Sequence, residues 1–574
     1  MNRKDFLKFT AAGVLSSTVD ARAAENAETR NVRSPDVTSG PRPCKEIMAK
    51  NAMVCASHPL AVAAGYDVLK AGGNAIDAAI AVNAMLCLTE PMMCGLGGDL
   101  FAIVWAEADK KLYGLNASGR SPYNWSLSKA KSLALKSIPS FGPLSWSVPG
   151  CVSGWTELSE KFGSKKLSEL FAPVITYAKE GFPVTQIISE DWGPENGVTE
   201  YATLNDVFLF ENKGLKAGQI FRNPDFAQTL ELLSRDGVRS FYEGQIAERI
   251  VRFSKKHGGL FEMKDFIDHS ATWVDPVSAS YRGYDVWQLP PNGQGMAALQ
   301  ILNILEQFDI AHLKPNSADF FHLFIEAKKL AFQDRAVYYA DVDFAKVPIS
   351  ELISKRYAEQ RARLIDPRKA ATKVEPGRIK NSSETIYLTV ADEAGNMVSL
   401  IQSLYSPWGS HYVVDGLGFA LQNRGSLFSL NDSAWNKLEP HKRPFHTIIP
   451  AFVTRSGKPV FSFGVTGGDY QPQGQVQILL NIIDYKMTVQ EAGDQYRLWH
   501  REGFESTGEK SGSPKIVLEP GFSPEVSQQL QRMGHPISDQ VRYFGGYQGI
   551  WKQEDPRRYI GASDFRKDGC SFGY

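Results

Sequence analysis

The stretch NSSETIYLTVADEAGNMVSLIQSLY, residues 381–405, reads as two strands joined by a polar turn. Ile386, Leu388 and Val390 fall on one face of the first strand, with Tyr387 and Thr389 on the other, the two-residue period of a pleated sheet. Asp392-Glu393-Ala394-Gly395-Asn396 supplies the turn, and Met397–Tyr405 the returning strand. Thr385 stands directly before the alternation. It is either an ordinary β-branched strand residue or an N-terminus concealed until the chain is cut after Glu384. This stretch alone leaves both readings open.

At 574 residues the chain is long enough for an extended core. Apolar residues make up 43% and charged residues 22%, the balance of an ordinary globular protein. Lys+Arg and Asp+Glu stand at 63 each, so no overall field draws the chain to nucleic acid or to an anionic membrane. No apolar run approaches the roughly 20 residues that span a bilayer. The six cysteines, Cys44, Cys55, Cys87, Cys94, Cys151 and Cys570, include no C-x-x-C pair, which argues against a disulfide framework and a structural zinc site. The ten histidines form no H-E-x-x-H or comparable set, and no glycine-rich stretch continues into a phosphate loop. Neither a metal nor another cofactor is expected.

Residues 1–23, MNRKDFLKFTAAGVLSSTVDARA, place Arg3 and Lys4 before Phe6-Leu7-Lys8, a weakly apolar stretch and the small-residue site Ala21-Arg22-Ala23. That is the layout of a secretory signal, close to a twin-arginine signal with its second arginine replaced by lysine. Export to the periplasm is the expectation, and a short disordered tail is the alternative. Residues 24–45 read as a linker. Beyond it, HPLAVAAGYDVLKAGGNAIDAAIAVNAML gives two Ala-rich helices around a Gly-Gly-Asn break. GLGGDLFAIVWAEADKKLYGLNASGRSP then gives two strands with AEADKK as the turn. Residues 155–355 read as mainly helical, and strands dominate from 385 to about 480. The order of elements predicts a layered α+β architecture. Glycines recur where backbone must come close to something, at Gly97-Gly98, Gly293, Gly295 and Gly467-Gly468.

Seven stretches occur in one order: AMVCASHPLAVAAGYDVLKAGGNAIDAAIAV, GLGGDLFAIVW, SVPGCVSGW, FRNPDFAQTL, PPNGQGMAALQ, ETIYLTVADEAGNMVS and GVTGGDYQPQG. Together they resemble the γ-glutamyltransferase family of N-terminal nucleophile hydrolases, from about residue 46 to the C-terminus. The resemblance implies a four-layer αββα sandwich shared by a large chain, 46–384, and a small chain, 385–574. It also implies self-cleavage between Glu384 and Thr385, with Thr385 as the nucleophile. A hydroxyl attacks poorly unless a base takes its proton, and a freshly exposed α-amine with a pKa near 8 supplies one. By the same resemblance, Gly467-Gly468 forms the oxyanion hole, where fixed N–H donors meet developing charge. Ser403 falls where the family has a second hydroxyl beside the nucleophile; a solvent-facing strand residue is the plainer alternative.

The chain also departs from the family pattern. An arginine that holds the substrate's α-carboxylate is replaced by Ser118, with Arg120 close by. The acidic pair that holds the α-amine is replaced by Ser426 and Leu427, and a serine pair by His446-Thr447. A pocket without those acids leaves a free α-ammonium unpaired. NASGR, PPNGQG, QNRGSLFS, PFHT and GGDYQPQG look more like a side branch that includes oxamate amidohydrolase and glutathione hydrolase-like enzymes. Arg120, Tyr405, Arg424, His446 and Thr447 then become the candidate substrate contacts, suited to a small carboxylate-bearing amide; surface charge and a satisfied histidine are the alternative. Two rivals stand beside this reading: a γ-glutamyl enzyme with a rearranged pocket, and a non-cleaving binding protein that keeps the fold.

Overall fold

A computed structural model describes residues 45–193, 203–209, 213–371, 384–501, 515–538 and 544–574. The expected signal, the linker up to residue 44 and the segment leading into Glu384 lie outside the described residues.

The hairpin read from the sequence forms as Glu384–Ala391 paired with Met397–Tyr405, at the centre of a seven-stranded antiparallel sheet. Across that sheet the strands run Cys570–Gly573, Met53–Ala56, Glu384–Ala391, Met397–Tyr405, Asp99–Ala106, Lys111–Ala117 and Thr272–Val274. A second antiparallel sheet runs Ile47–Ala49, Arg557–Ser563, Tyr547–Glu554, Lys458–Val465, Ala451–Arg455, Tyr284–Gln288 and Val277–Tyr281. Strands from both halves of the sequence interleave in each sheet.

Three apolar layers show how the sheets stack. Phe101, Ile103, Trp105, Tyr387 and Ile401 of the first sheet meet Phe452, Ile550 and Tyr559 of the second. On its other face the first sheet packs Ile386, Leu388 and Val390 against the helices Pro59–Lys70, Ala75–Thr89 and Cys151–Phe162. The second sheet covers its outer face with Gly295–Leu305, Ala318–Tyr338 and Gln471–Ile483. The fold is the αββα sandwich. The alternation thus sorts as expected, each fully buried aliphatic contributing roughly 1.5–3 kcal/mol, and Thr389 Oγ1 meets Ser462 Oγ across the sheets at 2.7 Å.

Every residue of Ala75–Thr89 is buried. Its alanines allow close approach on all sides, and Asn74 and Asp77 form a capping box at its start. Asp392, in the hairpin turn, accepts from the Ala75 N–H at 2.9 Å. The turn after the Thr385 strand therefore caps a helix some 300 residues earlier.

The 155–355 region is less uniformly helical than its sequence suggests, because Thr272–Val274 and Val277–Tyr281 lie within it as edge strands, with Tyr284–Gln288 paired beside the latter. Their short alternations are outweighed by the longer helical patterns on both sides. Among the described residues, Cys55, Cys87, Cys94, Cys151 and Cys570 are free thiols, and no helix is long and apolar enough to cross a membrane.

Candidate active site

Both sheets bring strand ends to one edge of the sandwich. Asp99 opens one strand of the first sheet and pairs with Ser403 near the end of the next. Thr385 begins the strand beyond. Glu384 pairs with Tyr405 but Ile386 pairs with Gln402, so Ser403 and Leu404 both lie opposite Thr385. This β-bulge re-aims the strand end, and Tyr405 beyond it takes a left-handed φ of 83°. Close approach explains Gly98 here: a Cβ on it would lie 2.4 Å from the Ser403 carbonyl oxygen.

Thr385 is 1% exposed. Its Oγ1 accepts from Gln471 Nε2 at 3.3 Å, and Gln471 Oε1 accepts from the Ile449 N–H at 3.0 Å. Gln471 opens the helix Gln471–Ile483, directly after the one-turn helix Gly468–Tyr470. Gly467 and Gly468 precede it with φ of 110° and 54°, conformations that strain any residue with a Cβ. Turns into a helix of this kind are where backbone N–H groups can form an anion-binding concavity. Gln294 pins the bend by donating to the carbonyls of Gly468 at 2.8 Å and Thr447 at 2.7 Å. Arg335 in turn bonds Gln294 and Asp469.

Ser403, Tyr405, Arg424 and Thr447 come together. Arg424 donates through Nη1 to Thr447 Oγ1 at 2.6 Å and through Nη2 to Ser403 Oγ at 3.2 Å. Its guanidinium lies 4.5 Å from the centre of the Tyr405 ring. Arg424 is fully buried, and burial lowers its pKa to about 10. Its Nε has no hydrogen-bond partner among the described residues. A buried donor without a partner is costly unless a ligand supplies one. Ser403 is buried as well, which excludes the solvent-facing reading.

His446 lies behind this group, its ring 4.7 Å from that of Phe101. Nδ1 accepts from the Ile448 N–H at 3.3 Å, so Nε2 carries the proton and donates it to Asp99 Oδ2 at 3.0 Å. Burial and the nearby Arg424 charge hold the imidazole well below its usual pKa. Asp99 Oδ1 also accepts from Gln422 at 2.7 Å and the Gly119 N–H at 2.8 Å. Burial pushes the Asp99 carboxyl up to about 7, opposed by Arg424 and those donors. His446 therefore acts on its surroundings as a neutral ring fixed by a buried acid.

Arg120 is not part of this group. Its Nη1 donates to the Ser270 carbonyl at 3.1 Å, an oxygen that Arg443 also reaches at 3.3 Å. Ser118 turns inward to Asn116 and Asn292. Ser426 bonds the Asn423 carbonyl and lines a pocket of about 440 Å3 with Lys131, Lys136, Ile138 and Phe428, whereas Leu427 is 4% exposed and belongs to the helix-side core. Sequence reasoning missed Gln471, Gln294 and Asp99. All three stand inside the quoted motifs, where a polar residue among apolar or glycine neighbours is the available signal.

The layered fold is that of the N-terminal nucleophile amide hydrolases. Residues 61–574 match the family model described as Gamma-glutamyltranspeptidase, and the chain belongs to that family. It is 36% identical over 539 residues to the glutathione hydrolase-like YwrD proenzyme of Bacillus subtilis, covering 92% of this chain and 99% of the relative. To the glutathione hydrolase proenzyme of Escherichia coli it is 31% identical, covering 92% and 93%. Among solved structures, the cephalosporin acylase from Bacillus halodurans superposes with a TM-score of 0.86 at 38% identity, covering 94% of this chain and 99% of that one.

Proposed function

We propose that the protein is a self-processing amide hydrolase that cleaves itself between Glu384 and Thr385 and then uses Thr385 on a small carboxylate-bearing amide without a free α-amine, of which oxamate is the simplest example. Attack by Thr385 Oγ1 on the amide carbonyl forms an acyl-enzyme and expels the amine. The Thr385 α-amine takes the hydroxyl proton and passes it to the leaving nitrogen, and water then resolves the ester. Gln471 donates to Oγ1, so the hydroxyl's own proton is left for the base. The N–H groups of Gly467 and Gly468 take the developing oxyanion.

The observation that carries the substrate class is Arg424. It is buried, holds neutral partners in Ser403 and Thr447, and keeps Nε unpartnered. A substrate carboxylate satisfies both the charge and the orphan N–H. No acid stands at Ser426 or Leu427 to pair an ammonium. Relatives named proenzymes support the processing step, and a solved relative named for acylase activity supports acyl transfer from an amide. The proposal includes export through residues 1–23. The deciding experiment compares kcat/KM on a γ-glutamyl anilide with that on oxamate and on longer amine-free amides. An unpaired ammonium in a partly dry pocket predicts a preference of roughly a hundredfold for the amine-free substrates; preference for the anilide would return the protein to glutathione hydrolysis.

A further inference from the structure

On the far side of the second sheet, His322 and Glu326 lie one turn apart on the helix Ala318–Tyr338, and His535 follows the helix Pro524–Arg532. All three are buried, and one potential ligand atom from each lies within 4.8 Å of the others. We propose that this cluster is a binding site for a divalent transition-metal ion of the zinc, cobalt and nickel class, with His322 Nδ1, His535 Nε2 and a Glu326 oxygen as ligands.

The hydrogen bonds fix the ring orientations that such a site needs. His322 Nε2 lies 2.7 Å from the Asp366 carbonyl, so that nitrogen carries the proton. Nδ1 is left with its lone pair, aimed at His535 Nε2 at 2.8 Å. A metal-ligating imidazole has this arrangement, one nitrogen on the ion and the other donating to a carbonyl. Two nitrogens about 2.0–2.1 Å from one ion at a tetrahedral angle stand about 3.3–3.4 Å apart, so an ion entering between the rings widens their 2.8 Å separation by about half an ångström. Binding replaces the proton on His535 Nε2, which His535 then carries on Nδ1. Glu326 accepts from Lys329 through Oε1 at 2.8 Å and from the Ala371 N–H through Oε2 at 3.2 Å. A carboxylate has lone pairs left over after two such bonds. Lys329 balances part of the local negative charge, which disfavours hard ions that depend on carboxylates and leaves two imidazoles to select softer ones.

His322 and Glu326 precede the Glu384-Thr385 bond and His535 follows it, so on the processing proposed above the ion clips the large chain to the small one. The test uses tag-free protein, dialysed against chelator and then water-clear of it, titrated with Zn2+ against a metallochromic indicator and with Co2+ by visible absorption. One ion per chain is expected, with affinity weakened about 100-fold or more in both His535→Ala and Glu326→Gln. Circular dichroism without metal checks that each variant folds; should His535→Ala fail to fold, Glu326→Gln decides. Wild-type binding no tighter than that of a folded variant overturns the site and leaves a neutral histidine pair. Thr385→Ala protein binds the ion equally, so failure of processing and failure of the metal site give separate results.

Discussion

Gln471 Nε2 donates to Thr385 Oγ1 at 3.3 Å from the first residue of a helix whose approach is the Gly467-Gly468 bend. One short segment thus carries both the group that orients the hydroxyl and the N–H groups proposed to meet the oxyanion. Replacing Gln471 with alanine removes the first and leaves the bend. The expected result is a loss of about 10- to 100-fold in kcat with little change in KM, measured by steady-state kinetics, together with slower appearance of the small chain on a gel. An unchanged kcat would show that the hydrogen bond is incidental.

Processing itself is checked on a denaturing gel. The purified protein should show two chains, the large roughly twice the small, and the small one should read Thr-Ile-Tyr-Leu from its N-terminus. Thr385→Ala should stay whole; scission of that variant at the same bond would remove Thr385 from the mechanism.

Arg424→Lys keeps a charge and loses the fork that spans Ser403 and Thr447. A lysine cannot reproduce two directed donors, so KM for amine-free carboxylated amides should rise by about 10-fold or more. Ser426→Asp restores one acid of the missing amine-binding pair and should raise activity on γ-glutamyl anilide. Leu427 is unsuited to the same change: it is packed in the core, where a carboxylate without a partner costs several kcal/mol.

Glu90 predicts a pH dependence of stability. It caps the end of Ala75–Thr89, accepts from Ser57 Oγ, and burial raises its pKa from 4.5 to about 7, against the pull of Lys567 and Ser57. A carboxyl whose pKa is raised on folding takes up a proton, so its stabilisation is complete below about pH 4.5 and fades as pH climbs through about 7. Glu90→Gln should flatten that decline and gain up to about 3 kcal/mol at pH 8 relative to wild type. Denaturant midpoints at pH 5 and pH 8 for both proteins decide it, and parallel pH profiles would refute it.

Much of this is legible in the sequence. The alternation of Ile386, Leu388 and Val390 forecast a strand with two distinct faces, and both faces are buried in different layers. Ser403, Tyr405, Arg424 and Thr447 stand out by their motif positions and lie in contact. Arg120 was legible only as a nearby charge, since the direction of a long flexible side chain is set by tertiary partners such as the Ser270 carbonyl. Asp99 looks like a strand-opening acid until Gln422 and His446, more than 300 residues away, are seen to close on it. The His322–His535 pair is hidden for the same reason: spacing along a chain reveals ligands on one helix and is silent about a third that arrives from another.

The interleaving of the two sheets sets how the protein can come apart. Strands Met53–Ala56 and Asp99–Ala106 flank the hairpin Glu384–Tyr405 on either side. On the proposed processing, a scission before Thr385 would release neither piece, because two hydrogen-bonded ladders still hold the hairpin in place. Once unfolded, however, a protein cut there would be two molecules, and its recovery second order. An intact chain refolds at a rate independent of concentration; a processed form would do so only as fast as its chains meet. On that proposal, maturation would turn a reversible folding equilibrium into a largely one-way loss on dilution.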